Sequence, residues 1–379
     1  MRFVLCVTLI LAGLALIIIP GVMALARQRA ETAPSAWLVF KSNRDGPDSI
    51  YRRRFDGEIV QRLAGPGGSD RQPVWSPDGT WIAFAAHDPG TRAIHRVQAD
   101  GRDPRSLTGD LGEIITLAWS PDGEWIAYVV QRQGAYSLRR MRPDGRDPQI
   151  VIARFQSDHR PNLVWSPDST WIALALRQDS AFTHLVRVRA DGTDLVPITD
   201  DSAAARHPAW SPDGEWIAFV ADRGDSESLY RVRPDGTDLQ RLTNRLGNDR
   251  YPAWSPDGQW IAFTSDRSGA HVLFKSLYRI HPDGTGLQRL TGDMVFDQFP
   301  TWSADSAWIA FISQRNGYGD IYQMRADGSH LERLTEYTTY NWDPMWSPPL
   351  HSRLRVGVFV AAGLILLVAG RRPRRQKRT

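Results

Sequence analysis

A single cysteine in 379 residues excludes an intrachain disulfide framework and any cysteine-based metal site. That residue, Cys6, follows only Met1-Arg-Phe-Val-Leu, too short a lead for a lipid-modified cysteine, so lipidation is not expected. The common enzyme signatures are missing too. There is no G-x-S-x-G nucleophile elbow, no H-E-x-x-H zinc helix and no glycine-rich phosphate loop. A basic face is also lacking, although the formal charge is +4. Eleven of the 46 Lys and Arg flank the two ends, which leaves 35 against 42 Asp and Glu in residues 30–352. A mildly acidic body argues against a nucleic-acid partner.

What is present is a repeat. The tetrad Trp-Ser-Pro-Asp, or a decayed copy of it, opens at Trp75, Trp119, Trp165, Trp210, Trp254, Trp302 and Trp346. The successive separations are 44, 46, 45, 44, 48 and 44 residues. A period in the forties with only strand and turn signals points to a toroid of four-stranded blades. In the unit running 208–243, Pro208-Ala-Trp210 reads as an inner strand and Ser211-Pro-Asp-Gly214 as a tight turn. Trp216-Ile-Ala-Phe219 is a second strand, apolar throughout and so buried on both faces. Ser228–Val232 is a third strand. Beyond the Asp235-Gly236 turn, Leu239–Thr243 alternates as a half-exposed outer strand should. Ser169 and Ser306 stand where the other complete turns carry Gly, at a position expected to need positive φ.

The second-strand motif occurs at Trp37, Trp81, Trp125, Trp171, Trp216, Trp260 and Trp308. The first copy has no inner strand before it, and the last inner strand, Asp343-Pro-Met-Trp346, has no second strand after it. The two orphans complete one another. The expected fold is therefore all-β: a seven-bladed β-propeller over 35–349, closed by a C-terminal strand that pairs into the first blade.

These motifs, Pro-x-Trp-Ser-Pro-Asp-Gly, Ile-Ala-Phe and a later Asp-Gly before Leu-Thr, resemble the repeats of the TolB-like propeller family over nearly all of 35–349. The resemblance implies the fold. It does not imply one function, because such propellers serve as binding modules, as substrate gates of peptidases and, less often, as enzymes. TolB itself carries an α/β domain ahead of its propeller, and here few residues separate the first apolar segment from Trp37, so TolB proper is not expected.

Hydrophobic helices are expected to flank the propeller. Residues 3–26 are apolar and long enough to span a bilayer, and Ala24-Leu-Ala26 also reads as a cleavage site. Residues 1–26 are thus either a signal peptide or a signal anchor, with 27–34 as linker. After a second linker, 350–355, the apolar run 356–370 is short for a span. Arg355 and Arg371 can snorkel, and a transmembrane helix followed by a basic tail, 371–379, is the expectation. With the propeller outside, seven basic residues flank the cytoplasmic side and four the outer side, as the positive-inside rule favours. A bacterial sorting tail is a minor alternative that lacks a sortase motif.

Features that differ between repeats are where a ligand can be read. The residue three before each inner Trp is expected at the channel mouth: Gln72, Thr116, Asn162, His207, Tyr251, Phe299 and Asp343, with Arg71, Arg206, Arg250, Gln298 and Trp342 beside them. Arginine and aromatic groups suit a peptide segment or a carbohydrate. The long spacing before Trp302 comes from extra residues in the loop 270–275. There His271, Val272, Leu273 and Phe274 make either a partner contact or a flap folded onto the propeller, the flap being favoured. His87, His159, His207 and His271 share the variable face, and scattered surface histidines are the reading preferred over a metal centre. Asp70, Asp249 and Asp297, and Arg44, Arg132, Arg223, Arg267 and Arg315, recur at fixed offsets and read as scaffold ion pairs or loop-bracing hydrogen bonds. The functional expectation is a non-catalytic, exported, membrane-anchored propeller that binds a protein or a cell-envelope polymer and uses no cofactor. The alternatives are a polysaccharide lyase or hydrolase with a metal at the channel mouth, and a structural part of an envelope complex.

Overall fold

The computed structural model describes residues 36–349 apart from 56–59, 65–68, 178–181, 201, 225, 245, 268–273, 293 and 336–339. The expected flanking helices and three of the four flap residues, His271, Val272 and Leu273, lie outside the described residues. Among those described, no helix is long and apolar enough to cross a membrane.

Seven four-stranded antiparallel sheets form the ring. Blade 1 is built from both ends of the propeller. Its inner strand, Asn341–Trp346, pairs antiparallel with Trp37–Ser42, which continues to Ser49–Arg54 and Val60–Arg62. Blades 2 to 7 occupy 71–106, 113–155, 163–197, 204–241, 249–289 and 297–333. The closure is tight. The Trp37 main-chain N–H donates to Ser347 Oγ at 3.0 Å, and the Ser347 N–H donates back to the Trp37 carbonyl at 2.7 Å.

Second strands are the core, as their uniform apolarity requires. Ile217, Ala218, Phe219 and Val220 are fully buried, and so are Ile261, Ala262 and Phe263. Clusters form between neighbouring sheets: Ala173, Leu185 and Ile198 of blade 4 pack on Ile217, Phe219 and Tyr230 of blade 5. In blade 5 the outer strand is only Gln240–Arg241, shorter than the sequence pattern suggests, whereas blade 3 keeps a seven-residue outer strand, Gln149–Phe155.

The repeat's polar residues each have a bonding role. In the Ser-Pro-Asp-Gly turn of blade 2, Ser76 Oγ donates to Asp78, Trp81 N–H donates to Ser76 Oγ, and Thr80 N–H donates to Asp78. Six turns repeat the Ser–Asp bond, which satisfies donors that the turn would otherwise leave open. On the third strand an arginine stacks over the second-strand Trp in six blades, with Arg140 3.8 Å above Trp125 and Arg279 3.9 Å above Trp260. Blade 7 has Gln323 at that place, and Arg325 reaches Trp308 instead.

The expected scaffold ion pairs form in two blades, and they are buried. Arg267 meets Asp249 at 2.6 Å and Arg315 meets Asp297 at 2.9 Å. Arg223 and Arg132 turn to Asp200 and Asp110, and Arg44 to Ser42 and Asn341. In blade 2 the arginine's position is taken by Asp88. Asp70 is buried there, and its carboxyl is pushed up to about 7 by that burial, with the Asp88 charge adding to it. A carboxyl raised on folding binds its proton more tightly in the native state, so its contribution is lost as pH rises from about 4 to about 7. Asp70→Asn is expected to raise the melting temperature at pH 8 and leave it nearly unchanged at pH 4. A uniform effect at both values would show that Asp70 is not protonated on folding.

Ser169 and Ser306 do hold positive φ, 62° and 60°. Each hydroxyl accepts from the turn of the preceding blade: Asp122 N–H to Ser169 Oγ at 3.0 Å and Asp257 N–H to Ser306 Oγ at 3.1 Å. Strain relief in a Ser→Gly variant is thus offset by a lost bond, each about 1 kcal/mol. Ser169→Gly should be close to neutral in urea unfolding, whereas Ser169→Ala, which keeps the strain and loses the bond, should cost about 1 kcal/mol. Equal stability of the two variants would remove this account.

Candidate functional site

Five inner strands carry a proline one residue past the expected mouth position: Pro73, Pro208, Pro252, Pro300 and Pro344. Proline has no N–H for the ladder, so the pairing breaks at that point. The residue before each one lies at positive φ: Gln72 54°, His207 53°, Tyr251 55°, Phe299 57° and Asp343 55°. The register with the second strand shifts at the same five places. Thr116 and Asn162 are followed by leucine and are not among the positive-φ residues. A non-glycine residue in this region costs about 1–2 kcal/mol, and bulges of this kind re-aim a side chain.

All seven positions line one central cavity of about 630 Å³. They fall into sectors around the ring. Gln72, Thr116 and Asn162 are uncharged and polar, His207, Tyr251 and Phe299 are aromatic, and Asp343 closes the circle between Phe299 and Gln72. The aromatic sector is continuous. His207 and Tyr251 have centroids 4.5 Å apart, and Tyr251 and Phe299 4.1 Å. Trp342 stands edge-on to Phe299 at 6.2 Å.

The neighbouring residues stand behind this wall. Arg206 and Arg250 both grip Glu227, each at 2.8 Å. Gln298 is buried, and Trp342 packs against Gly319. Arg71 sits in the ladder opposite Ala85, and its buried Nε has no protein partner. The wall is therefore aromatic and polar, and its arginines are set back. Glu227 escaped the sequence reading. Its signal was uniqueness: the equivalent places hold Asp48, Arg92, Tyr136, Thr183, Lys275 and Gly319.

Electrostatics follow from enclosure. Burial, reinforced by Arg206, Arg250 and His159, pushes His207 down to about 3, so the ring is neutral at physiological pH. Its buried Nδ1 has no protein partner. Burial raises the Tyr251 hydroxyl. Burial also raises the Asp343 carboxyl, opposed by Lys41 and by the Gln72 main-chain N–H, which donates to Asp343 Oδ2 at 3.3 Å. Among the described residues, no three His, Cys, Asp or Glu side chains are placed to hold a metal ion, and His87, His159 and His207 form no such group.

The loops around the mouth add an apolar rim that was not foreseen. Leu246 and Met294 are 70% and 69% exposed, and Phe182, Tyr318 and Tyr340 are 46%, 41% and 49% exposed. All five sit in loops that either enter an inner strand or join second to third strands, so they open on the same face as the cavity. Phe274, the described end of the flap loop, precedes Lys275. The Lys275 N–H bonds the Val295 carbonyl at 2.8 Å, tying that end down beside blade 7.

Solved structures share this architecture. TolB from Acinetobacter baumannii aligns with TM-score 0.55 and 16% identity, over 85% of each chain. Oligogalacturonate lyase from Vibrio parahaemolyticus aligns with TM-score 0.57 and 16% identity, over 80% of this chain and 87% of the other. A puromycin-hydrolyzing peptidase of Mycobacterium tuberculosis aligns with TM-score 0.61 and 16% identity over 80% of this chain, which matches only 52% of the peptidase. At these identities the likeness is one of fold. No curated protein matches the chain. The model of the TolB beta propeller domain matches residues 33–212 and 198–276. With repeat, ring and family model in agreement, the chain belongs to the TolB β-propeller domain family.

Proposed function

We propose that this chain is an exported, membrane-anchored binding module, distinct from TolB itself, that takes a segment of a partner protein at the channel mouth and catalyses no reaction. The observation that carries this reading is the aromatic sector His207–Tyr251–Phe299, facing a cavity whose rim exposes Phe182, Leu246, Met294, Tyr318 and Tyr340. Rigid aromatic faces surrounded by exposed apolar side chains suit a protein ligand better than a fully hydroxylated polymer. Around the wall itself, the one hydrogen bond between ring positions among the described residues joins Gln72 and Asp343, which is no nucleophile–base arrangement.

Photo-crosslinkers placed at Leu246 or Met294 in cells should capture a protein. The same group at Asp213, on the opposite face, should not, and Tyr251→Ala with Phe299→Ala should abolish capture. Equal capture from both faces, or turnover of an acidic polysaccharide by the purified chain, would overturn the reading.

The membrane part rests on the apolar segments 3–26 and 356–370 and on the basic tail. An inner strand runs from the variable face towards the Ser-Pro-Asp-Gly turns, and the second strand runs back. Trp346 ends its strand and Trp37 begins its strand on the same turn face, where Trp37 and Ser347 are hydrogen-bonded. Both apolar segments thus attach at that face. The six linker residues 350–355 reach at most about 20 Å. That is too short to carry the chain round the ring, so the mouth points away from the bilayer. In right-side-out vesicles, protease is expected to cut at 27–34 or 348–353 while an epitope tag after Thr379 stays protected. A tag digested from outside would reverse or remove the C-terminal span.

A further inference from the structure

Asp343, partly buried, differs from the buried acids near the mouth. Asp249 and Asp320 each meet an arginine at 2.6 Å, Asp297 at 2.9 Å, and Glu227 meets two arginines at 2.8 Å. Asp70, on which Arg62 acts, does not line the cavity. Asp343 lines it, and makes no ion pair with a described residue; its one side-chain bond is from the Gln72 N–H. Two cations act on it from a distance, Lys41 and Arg71. Lys41 is committed to Asp48 at 3.2 Å. A partly buried carboxylate that lines a cavity and has no ion-pair partner among the described residues calls for an explanation.

The surroundings of Asp343 share one chemical character. On one side stands Gln72, whose buried Oε1 has no donor among the described residues and whose amide nitrogen donates to the Ile115 carbonyl. Phe299 and Tyr251, with ring centroids 4.1 Å apart, line the same cavity. These are acceptors and π faces. Arg206 and Arg250 are turned onto Glu227, and the cations that act on Asp343 are Lys41, paired with Asp48, and Arg71, beside Gln72. An ammonium group carries three N–H donors and one charge, which a carboxylate, an amide oxygen and aromatic faces together satisfy. A carboxylate-bearing ligand would meet Asp343 as a like charge.

We propose that Asp343, Gln72, Phe299 and Tyr251 form a seat for a primary ammonium group, a lysine side chain or a free N-terminus carried by the bound protein segment. This rests on the reading of the mouth as a protein-binding site and names the group that the site selects. It also separates this mouth from one built for acidic sugar chains.

The test is calorimetric titration of the full-length chain in nanodiscs with butylammonium, and with butyrate as the probe of similar shape and opposite charge. Butylammonium should bind the wild type, and Asp343→Asn should weaken it by about ten-fold or more. Phe299→Leu should weaken it by a few-fold, and butyrate should give no heat of binding. Because Asp343 lies on the closing strand, melting curves accompany each variant. If Asp343→Asn does not fold, Phe299→Leu and Gln72→Ala carry the comparison. The proposal fails if the wild type does not bind butylammonium, if Asp343→Asn binds it equally well, or if butyrate binds better. It also fails if calcium or magnesium occupies the seat and excludes the amine. Capture at Leu246 that butylammonium does not inhibit would remove the ammonium seat and leave the protein-binding reading standing. Absence of any capture, with amine binding intact, would do the reverse.

Discussion

The propeller depends on a relay of indole hydrogen bonds around its axis. Each donor is the N–H of an inner-strand tryptophan, and each acceptor is the carbonyl just before the tryptophan of the preceding blade. Trp165 donates to Ala118, Trp254 to Ala209 and Trp302 to Ala253, at 3.0–3.2 Å. Trp75 donates to Met345 at 3.3 Å, so the relay crosses the junction between the first and last parts of the chain. Each such bond is worth about 1 kcal/mol net, but it also fixes the angle between sheets. The indole nitrogens of Trp119, Trp210 and Trp346 are buried with no partner among the described residues, so the ring is not uniformly tied.

A frame so regular leaves few places for individuality. The inner strand cannot vary at its tryptophan, and the second strand is buried on both faces. Variation is pushed to the bulge, where proline interrupts the ladder and the residue before it is held at positive φ. Strain of this kind persists only where the surroundings over-determine it. Here the closed ring does so, and the strained side chains are the ones that meet in the cavity.

Charge is handled in three ways across the same fold. Deep acids in blades 6 and 7 are neutralised by arginines at the end of the second strand of the same blade. In blade 2 the arginine is an aspartate, and Asp70 is driven towards its protonated form. At the mouth, Glu227 draws Arg206 and Arg250 away from the wall, which leaves an aromatic, neutral sector facing Asp343. Arg206 and Arg250, expected as ligand contacts, are therefore bound to the protein itself.

The fold was legible because a propeller is a local code written seven times: Trp, Ser-Pro-Asp-Gly, an apolar strand and Asp-Gly. The blade count and the pairing of the two orphan strands needed only that code and the rule that a sheet edge must be covered. The seven mouth positions were legible for the same reason, since equal offsets in equal repeats share one radius. What the sequence did not determine was which neighbours of those positions face the cavity. A bulge reverses side-chain direction within one residue, so Arg206 and His207 point to different places. Nor could it show that Glu227, at the start of the third strand of blade 5, would claim two arginines, or that Leu246, Met294 and Tyr340, separated along the chain, would together rim the cavity. Those facts depend on the closure of the ring, which brings distant loops together at distances that no spacing in the sequence encodes.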